Sequence, residues 1–359
     1  TSMIGVTKTY LPNLRDYIRY LNRIWETARI ANHGPFVLEL EEKLKSYLGV
    51  KNLFAVTNGT LGLQIAIKAL NLSGEVITTP FSYVASTSSL VWEGCKPVFV
   101  DIDPKTLCID ANKIEAAITK RTSAILAVHV YGNICNVELI DEIARKYHLK
   151  VIYDSAHIFG VKYKNRSVLE HGDINVLSFH ATKIFHTAEG GAITTNDKKL
   201  AHKISYLRNF GHNGEEKFWG LGINGKMSEL QAAMGLLVLS QIRKLVQRRK
   251  ILSEKYDKLL SGTSLIKPQF NSEATLNYSY YPVLFESEKQ LLKVKGLLNA
   301  EEIFPRRYFY PCLTRLPYIK GQACPIAEDI SRRVLCLPLS HDLKINDVSK
   351  ISKLVKKGL

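Results

Sequence analysis

Short β-branched runs alternate with helix-period segments through the first two-thirds of this chain, and that alternation limits the fold more than any other feature. Phe54-Ala55-Val56, Val76-Ile77-Thr78, Pro97 to Val100, Ala124 to Val130, Val151-Ile152-Tyr153, Val176 to Phe179 and Ala192-Ile193-Thr194 have the length and branching of buried strands. Between the earlier runs lie Gly62 to Leu70, Ala85 to Trp92, Ile114 to Ile118 and Val137 to Tyr147, with apolar residues at helical spacing. Strands joined through helices run parallel, and the helices cover both sheet faces. After Asp154 two strands follow with loops between them, so the expected sheet is mixed but mostly parallel.

Leu14 to Ala28 and Phe36 to Leu48 precede the sheet as amphipathic helices, the second closed by Gly49. Met227 to Leu260 reads as one long helix with an apolar middle. Beyond it come a strand-like Tyr278 to Phe285, a helix near Glu288 to Leu298 and a short apolar run, Val334 to Pro338. The expected class is therefore α/β, a mostly parallel mixed sheet flanked by helices, plus a smaller α+β unit. The division falls at 1–240, an N-terminal segment with the large domain, and 241–359, a small C-terminal domain.

Composition narrows the function classes. With 359 residues, 46% of them hydrophobic, the chain buries a large core and is neither disordered nor a disulfide scaffold. No apolar stretch approaches the ~20 residues of a membrane helix, and Thr1 to Arg19 contains no leader-like block, so a cytoplasmic protein without a membrane partner is expected. The six cysteines form no C-x-x-C pair and H-E-x-x-H is absent, so no metal is expected and the thiols read as small hydrophobes. The net charge of +16 is concentrated in Gln241 to Leu359, with 22 basic against 11 acidic residues. Such a balance attracts anionic partners. Its patches, such as Arg248-Arg249-Lys250, lack interleaved aromatics, so they read as solvated helix faces and nucleic acid is not an expected partner. Gly220-Leu-Gly222-Ile-Asn-Gly225 matches G-x-G-x-x-G but follows no clear strand, and position 245 is leucine where a ribose-binding acid belongs.

Four segments carry chemistry when read together. Val56-Thr57-Asn58-Gly59-Thr60-Leu61-Gly62 runs from a strand through a small-residue turn into a helix, whose free amides and the Thr60 hydroxyl can hold a phosphate. Asn-Gly is also an ordinary turn. Thr79-Pro80-Phe81-Ser82-Tyr83 ends the next strand, and Tyr83 is either a core aromatic or a ring that stacks on a planar heterocycle. Val151-Ile152-Tyr153-Asp154 ends an apolar strand in an acid, where parallel sheets place ligands; a helix-capping role is the alternative. Lys183 sits among apolar and small residues in Ser178-Phe179-His180-Ala181-Thr182-Lys183-Ile184-Phe185, and Gly190-Gly191 follows. An amine so placed has a depressed pKa and becomes a Schiff-base nucleophile.

With these motifs in order from about Val6 to Pro338, the chain resembles the DegT/StrS family, the sugar-nucleotide aminotransferases of fold type I that use pyridoxal 5′-phosphate. The resemblance implies that Lys183 holds the cofactor as a Schiff base and moves the proton, and that Asp154 pairs with the pyridinium nitrogen. It implies that Tyr83 stacks on one face of the ring, that His157 contacts the other face or the cofactor's 3′-oxygen, and that Gly59, Thr60 and Ser178 hold the phosphate. Asn224 corresponds to an asparagine that reaches the phosphate of a neighbouring subunit, implying a homodimer with shared sites; Lys226 stands where many relatives have arginine. Related dehydratases carry histidine at the lysine position, so Lys183 favours transamination.

Val6-Thr7-Lys8, Asn32-x-Gly34-Pro35-Phe36 and Phe304 to Pro311 look like the branch that aminates C4 of dTDP-4-keto-6-deoxy-D-glucose. L-Glutamate is the implied donor, with pyridoxamine phosphate between the half-reactions. Asn32, Arg306 and Tyr308 are the implied sugar-nucleotide contacts, and Arg307 stays open. His129 is either a core histidine or a cofactor neighbour, and the sequence does not choose between His180 and His186 as the one facing the substrate. The rival readings are amination at C3, a UDP- or GDP-linked keto sugar, a regulator that keeps the cofactor without turnover, and a dehydratase.

Overall fold

The computed structural model describes residues 3–359; Thr1 and Ser2, where the expectation of no leader begins, lie outside the described residues. Seven strands build the central sheet: β1 (Asn52–Val56), β2 (Glu75–Thr78), β3 (Lys96–Phe99), β4 (Thr122–Val128), β5 (Lys150–Asp154), β6 (Ile174–Ser178) and β7 (Gly191–Thr195). Their order is β1-β7-β6-β5-β4-β2-β3, and only β7 runs against the others. This is the mixed, mostly parallel sheet that the loop-linked strands after Asp154 predict. A short hairpin, Lys162–Tyr163 with Arg166–Ser167, fills the connection from β5 to β6.

Helices α1 (Leu14–Thr27), α2 (Pro35–Leu48), α3 (Gly59–Ala69), α4 (Ala85–Trp92), α5 (Val137–Tyr147), α6 (Lys198–Leu207) and α7 (Glu229–Leu260) pack around it. Several have a local cause. Asn13 caps α1 through its side chain to Arg15 N–H, and Gly49 ends α2 in the left-handed conformation that glycine adopts without a Cβ clash. Ser228 and Gln231 form a reciprocal capping box at the start of α7. Helix α7 starts two residues after the Met227 expected from the sequence, and α6, whose Asp197 accepts from Lys199 and Leu200 N–H, is a helix that the apolar pattern did not announce.

Helix α7 runs from the main core into a second apolar cluster around Leu252, Tyr256, Val283, Leu291, Val348 and Val355. That cluster lies between an antiparallel pair, β8 (Tyr281–Leu284) and β9 (Val334–Leu337), and helices α8 (Glu288–Ala300) and α10 (Ile345–Gly358). α9 (Pro325–Arg333) and α10 were not recognised in the sequence. The N-terminal strand Ile4–Gly5 pairs in parallel with Ile303–Phe304, so the chain's start is tied to its C-terminal part. All six cysteines are buried and unpaired.

Because six strands point one way, their carboxyl ends share one edge. Along that edge Val128, Asp154 and Val176 stand in register, as do Val56, Gly191 and Ser178.

Candidate active site

A cavity of about 640 Å³ opens over this edge. Gly59, Thr60, Tyr83, Asp154, His157, Ser178, Lys183, Arg306 and Tyr308 all line it. Asn32 and Asn224 do not; both are exposed elsewhere on the same chain.

Lys183 is placed by a loop whose flanks are anchored. Phe179 and Phe185 are buried edge-to-face at 4.7 Å, and Phe185 stacks on Phe159 at 4.6 Å. Between them the chain turns, with Lys183 N–H donating to His180 O at 2.9 Å, and the lysine is left facing the cavity. Burial lowers its pKa below that of an ordinary lysine, and Asp154, Tyr308 and Tyr83 only partly restore it.

Asp154 ends β5 with 8% exposure. Burial raises its pKa, opposed by the Ser86 hydroxyl donating to Oδ2 at 2.7 Å, Ala156 N–H donating to Oδ1 at 3.1 Å, and Lys183. A carboxylate has about four acceptor positions, so capacity remains toward the cavity. His157 is the reverse case. Its Nδ1 accepts the Tyr131 N–H at 3.2 Å, and burial with the nearby Lys183 keeps the ring neutral, so Nε2 carries the proton.

At the other end of the cavity, Asn58 caps α3 by accepting Leu61 N–H at 2.8 Å. The Gly59 and Thr60 amides, at the first helical positions, have no intrahelical acceptor. A Cβ at Gly59 would stand 3.1 Å from the Ser178 Cβ, and one at Gly191 would stand 2.8 Å from the Gly59 nitrogen. Small residues therefore bring the helix end, β7 and Ser178 close together.

Geometry settles several choices the sequence left open. His180 faces the cavity, whereas His186 donates from Nε2 to Tyr10 O at 2.6 Å and accepts Ala188 N–H at Nδ1, so both nitrogens are structural. His129 is a core histidine: its Nδ1 accepts Cys135 N–H at 3.1 Å, its ring stacks on Tyr153, and burial holds its pKa down to about 3. Arg306 lies over the Tyr308 ring at 4.7 Å and, among the described residues, meets no carboxylate. Arg307 turns away to Glu288 at 2.5 Å and Arg332 O. Lys226 donates to Asn224 Oδ1 at 2.9 Å on the outer surface. The sequence reading missed Ser86, Gln64, Tyr280 and Phe309 as parts of the site. Ser86 lies 68 residues from Asp154, and no local pattern reports such a contact.

Residues 14–356 match the model of the DegT/DnrJ/EryC1/StrS aminotransferase family. The chain belongs to that family. This aminotransferase is 45% identical to the dTDP-4-amino-4,6-dideoxy-D-glucose transaminase of Shigella dysenteriae, covering 95% of each chain. It is 42% identical to the Escherichia coli transaminase of the same name, covering 98% of each. It also superposes with a TM-score of 0.94 on a solved structure described as DesI in the presence of its TDP-sugar product, at 32% identity and covering 99% of this chain and 93% of that one.

Pyridoxal 5′-phosphate is the cofactor of the aminotransferase. The residues present fit it. The aminotransferase offers unpaired amides and two hydroxyls at one end of its cavity, a buried carboxylate with spare acceptor positions and a desolvated amine deeper in, and Tyr83, 57% exposed, with ring surface free to stack. No helix among the described residues is long and apolar enough to cross a membrane.

Proposed function

We propose that this aminotransferase moves an amino group from L-glutamate to C4 of dTDP-4-keto-6-deoxy-D-glucose, giving dTDP-4-amino-4,6-dideoxyglucose. The observation that carries this reading is the near full-length likeness to transaminases named for that product, joined to a cavity in which a half-buried lysine and a buried carboxylate face the same space.

Bound there, pyridoxal phosphate supplies an aldehyde that accepts the amino group and a ring that withdraws electrons from the substrate carbon. Gly59 and Thr60, at the positive end of α3, and the Ser178 hydroxyl hold the phosphate. Asp154, whose anionic form Ser86, Ala156 N–H and Lys183 favour, would pair with the ring nitrogen and hold the proton there. Tyr83 would cover one face of the ring, and His157, neutral, would offer an imidazole face or Nε2–H to it. Lys183 would hold the cofactor through its Nζ. Its amine, desolvated and so less basic than usual, would accept and return the proton that the transfer moves. Arg306 supplies the one cavity-lining guanidinium without a carboxylate partner among the described residues, placed for the diphosphate, and Tyr308 lies beneath it. Asn32 completes the nucleotide contacts when the second subunit is in place.

A homodimer follows from the same reasoning. Asn224 and Lys226 are exposed or half-exposed beside Phe210, Phe218, Trp219 and Leu221, each well exposed in the single chain. Large apolar side chains exposed together in this way suit a protein contact, and a second copy would bring Asn224 to the partner's cofactor phosphate. A cytoplasmic location accords with this chemistry, since both substrates are soluble metabolites.

The test is product analysis by NMR after incubation with dTDP-4-keto-6-deoxyglucose and L-glutamate. A proton-bearing carbon with an amine at position 4 is the expected result. An amine at C3, or turnover only with a UDP- or GDP-linked sugar, would overturn the assignment.

A further inference from the structure

His180 and Glu189 form a pair at the cavity mouth that the chemistry above does not use. His180 is oriented through one nitrogen: Thr182 N–H donates to Nδ1 at 3.2 Å, and the Thr182 hydroxyl lies 2.8 Å from the same atom. With Nδ1 accepting, Nε2 carries the N–H, and it points toward Glu189 Oε1 at 3.6 Å. That separation is too long for a hydrogen bond, so the Nε2–H donor and the carboxylate acceptors both have capacity to spare.

Glu189 is presented by a backbone with little freedom. Its carbonyl accepts from the Thr187 hydroxyl at 2.7 Å and from Gln231 Nε2 at 2.6 Å. Ala188 before it adopts φ 66°, a conformation alanine rarely takes. Gly190 after it leaves no room for a side chain, since a Cβ would fall 1.8 Å from the Thr187 hydroxyl oxygen. The positive φ at Ala188, a residue with a Cβ, beside the cavity fits a segment held for contact with a ligand.

We infer that the Glu189 carboxylate, with His180 Nε2–H beside it, grips the vicinal hydroxyls of the keto sugar and so selects for a sugar substrate in the second half-reaction. The inference rests on the proposed sugar-nucleotide reaction. A carboxylate is acceptor-only and takes two hydroxyl donors at once, and an imidazole N–H returns a donor to a hydroxyl oxygen. The same carboxylate has nothing to offer L-glutamate, whose own carboxylates it repels. Glu189 is therefore a specificity residue that acts on one substrate only.

The two half-reactions separate by their cofactor absorbance, so the experiment compares them in stopped flow on the holoenzyme. For Glu189→Gln, the specificity constant for dTDP-4-keto-6-deoxyglucose is expected to fall at least tenfold relative to that for L-glutamate, through KM rather than the maximal rate. Glu189→Asp, which keeps the charge, recovers part of the loss. Wild-type protein is expected to lose a similar factor with a keto-sugar nucleotide lacking the 2- or 3-hydroxyl, and Glu189→Gln is expected to be indifferent to that deletion. An equal fall in both half-reactions would mean a structural role and overturn the inference, as would wild-type protein that uses the deoxygenated sugar as well as the full one. Should Glu189→Gln fail to fold, the wild-type comparison of the two sugars decides. Wild-type protein that reacts with L-glutamate but with no keto-sugar nucleotide would instead sink the underlying reaction.

Discussion

At the scale of single residues the site depends on opposing effects on two groups. Burial makes the Lys183 ammonium and the Asp154 carboxylate each harder to charge, and their proximity partly repairs both. Ser86 adds to that repair, because its hydroxyl hydrogen-bonds the charged form of Asp154. Removing it raises the Asp154 pKa further. Since the anion is the working form, the acid limb of the kcat profile of Ser86→Ala should move to higher pH, with activity at neutral pH down about tenfold, the scale of one hydrogen bond to a charge. An unmoved acid limb would show that Ser86 does not act through Asp154. Lys183 and Asp154 were legible in the sequence because each ends or follows an apolar strand in a long motif. Ser86 was not, because its role exists only once α4 packs against the end of β5.

At the scale of elements, ends matter more than middles. Glu229, at the first turn of α7, is 1% exposed, and its two carboxylate oxygens accept Phe36 N–H at 2.9 Å and Val37 N–H at 2.8 Å. It thus caps α2 from another helix and fixes the turn that carries Asn32. Gly34 makes this possible, since a Cβ there would lie 2.3 Å from the Glu229 carboxyl carbon. Glu229→Gln removes a charge from a helix N-terminus and one of the two acceptors, at a cost of about 2 kcal/mol, measurable as a lower denaturant midpoint with unchanged slope. Strand periodicity gave the seven-stranded sheet to within two or three residues. Helices α6, α9 and α10 went unread although their apolar residues keep helical spacing, because they are short or rich in charge and their mean hydropathy is low; in α10 Val348, Ile351 and Val355 are buried on one face while Lys350, Lys353, Lys356 and Lys357 occupy the rest. What a linear pattern cannot carry is a cap supplied from 193 residues away.

At the scale of the whole molecule, Asn32 and Asn224 lie outside the cavity that their own chain builds, which the proposed dimer explains by sharing sites between copies. Mixing inactive Lys183→Ala with weakened Asn224→Ala subunits should then recover activity, up to about a quarter of the wild-type value per site pair in a statistically mixed population, because one hybrid site regains both residues. Recovery absent on mixing, with hybrids verified by mass spectrometry, would assign each site to one chain. All of the chemistry, in either arrangement, passes through a single amine. Borohydride reduction of the protein with pyridoxal phosphate, followed by peptide mass spectrometry, reads that amine directly. The pyridoxyl group is predicted on Lys183 alone, with none on Lys183→Ala; a label on another lysine, or none at saturating cofactor, would contradict it.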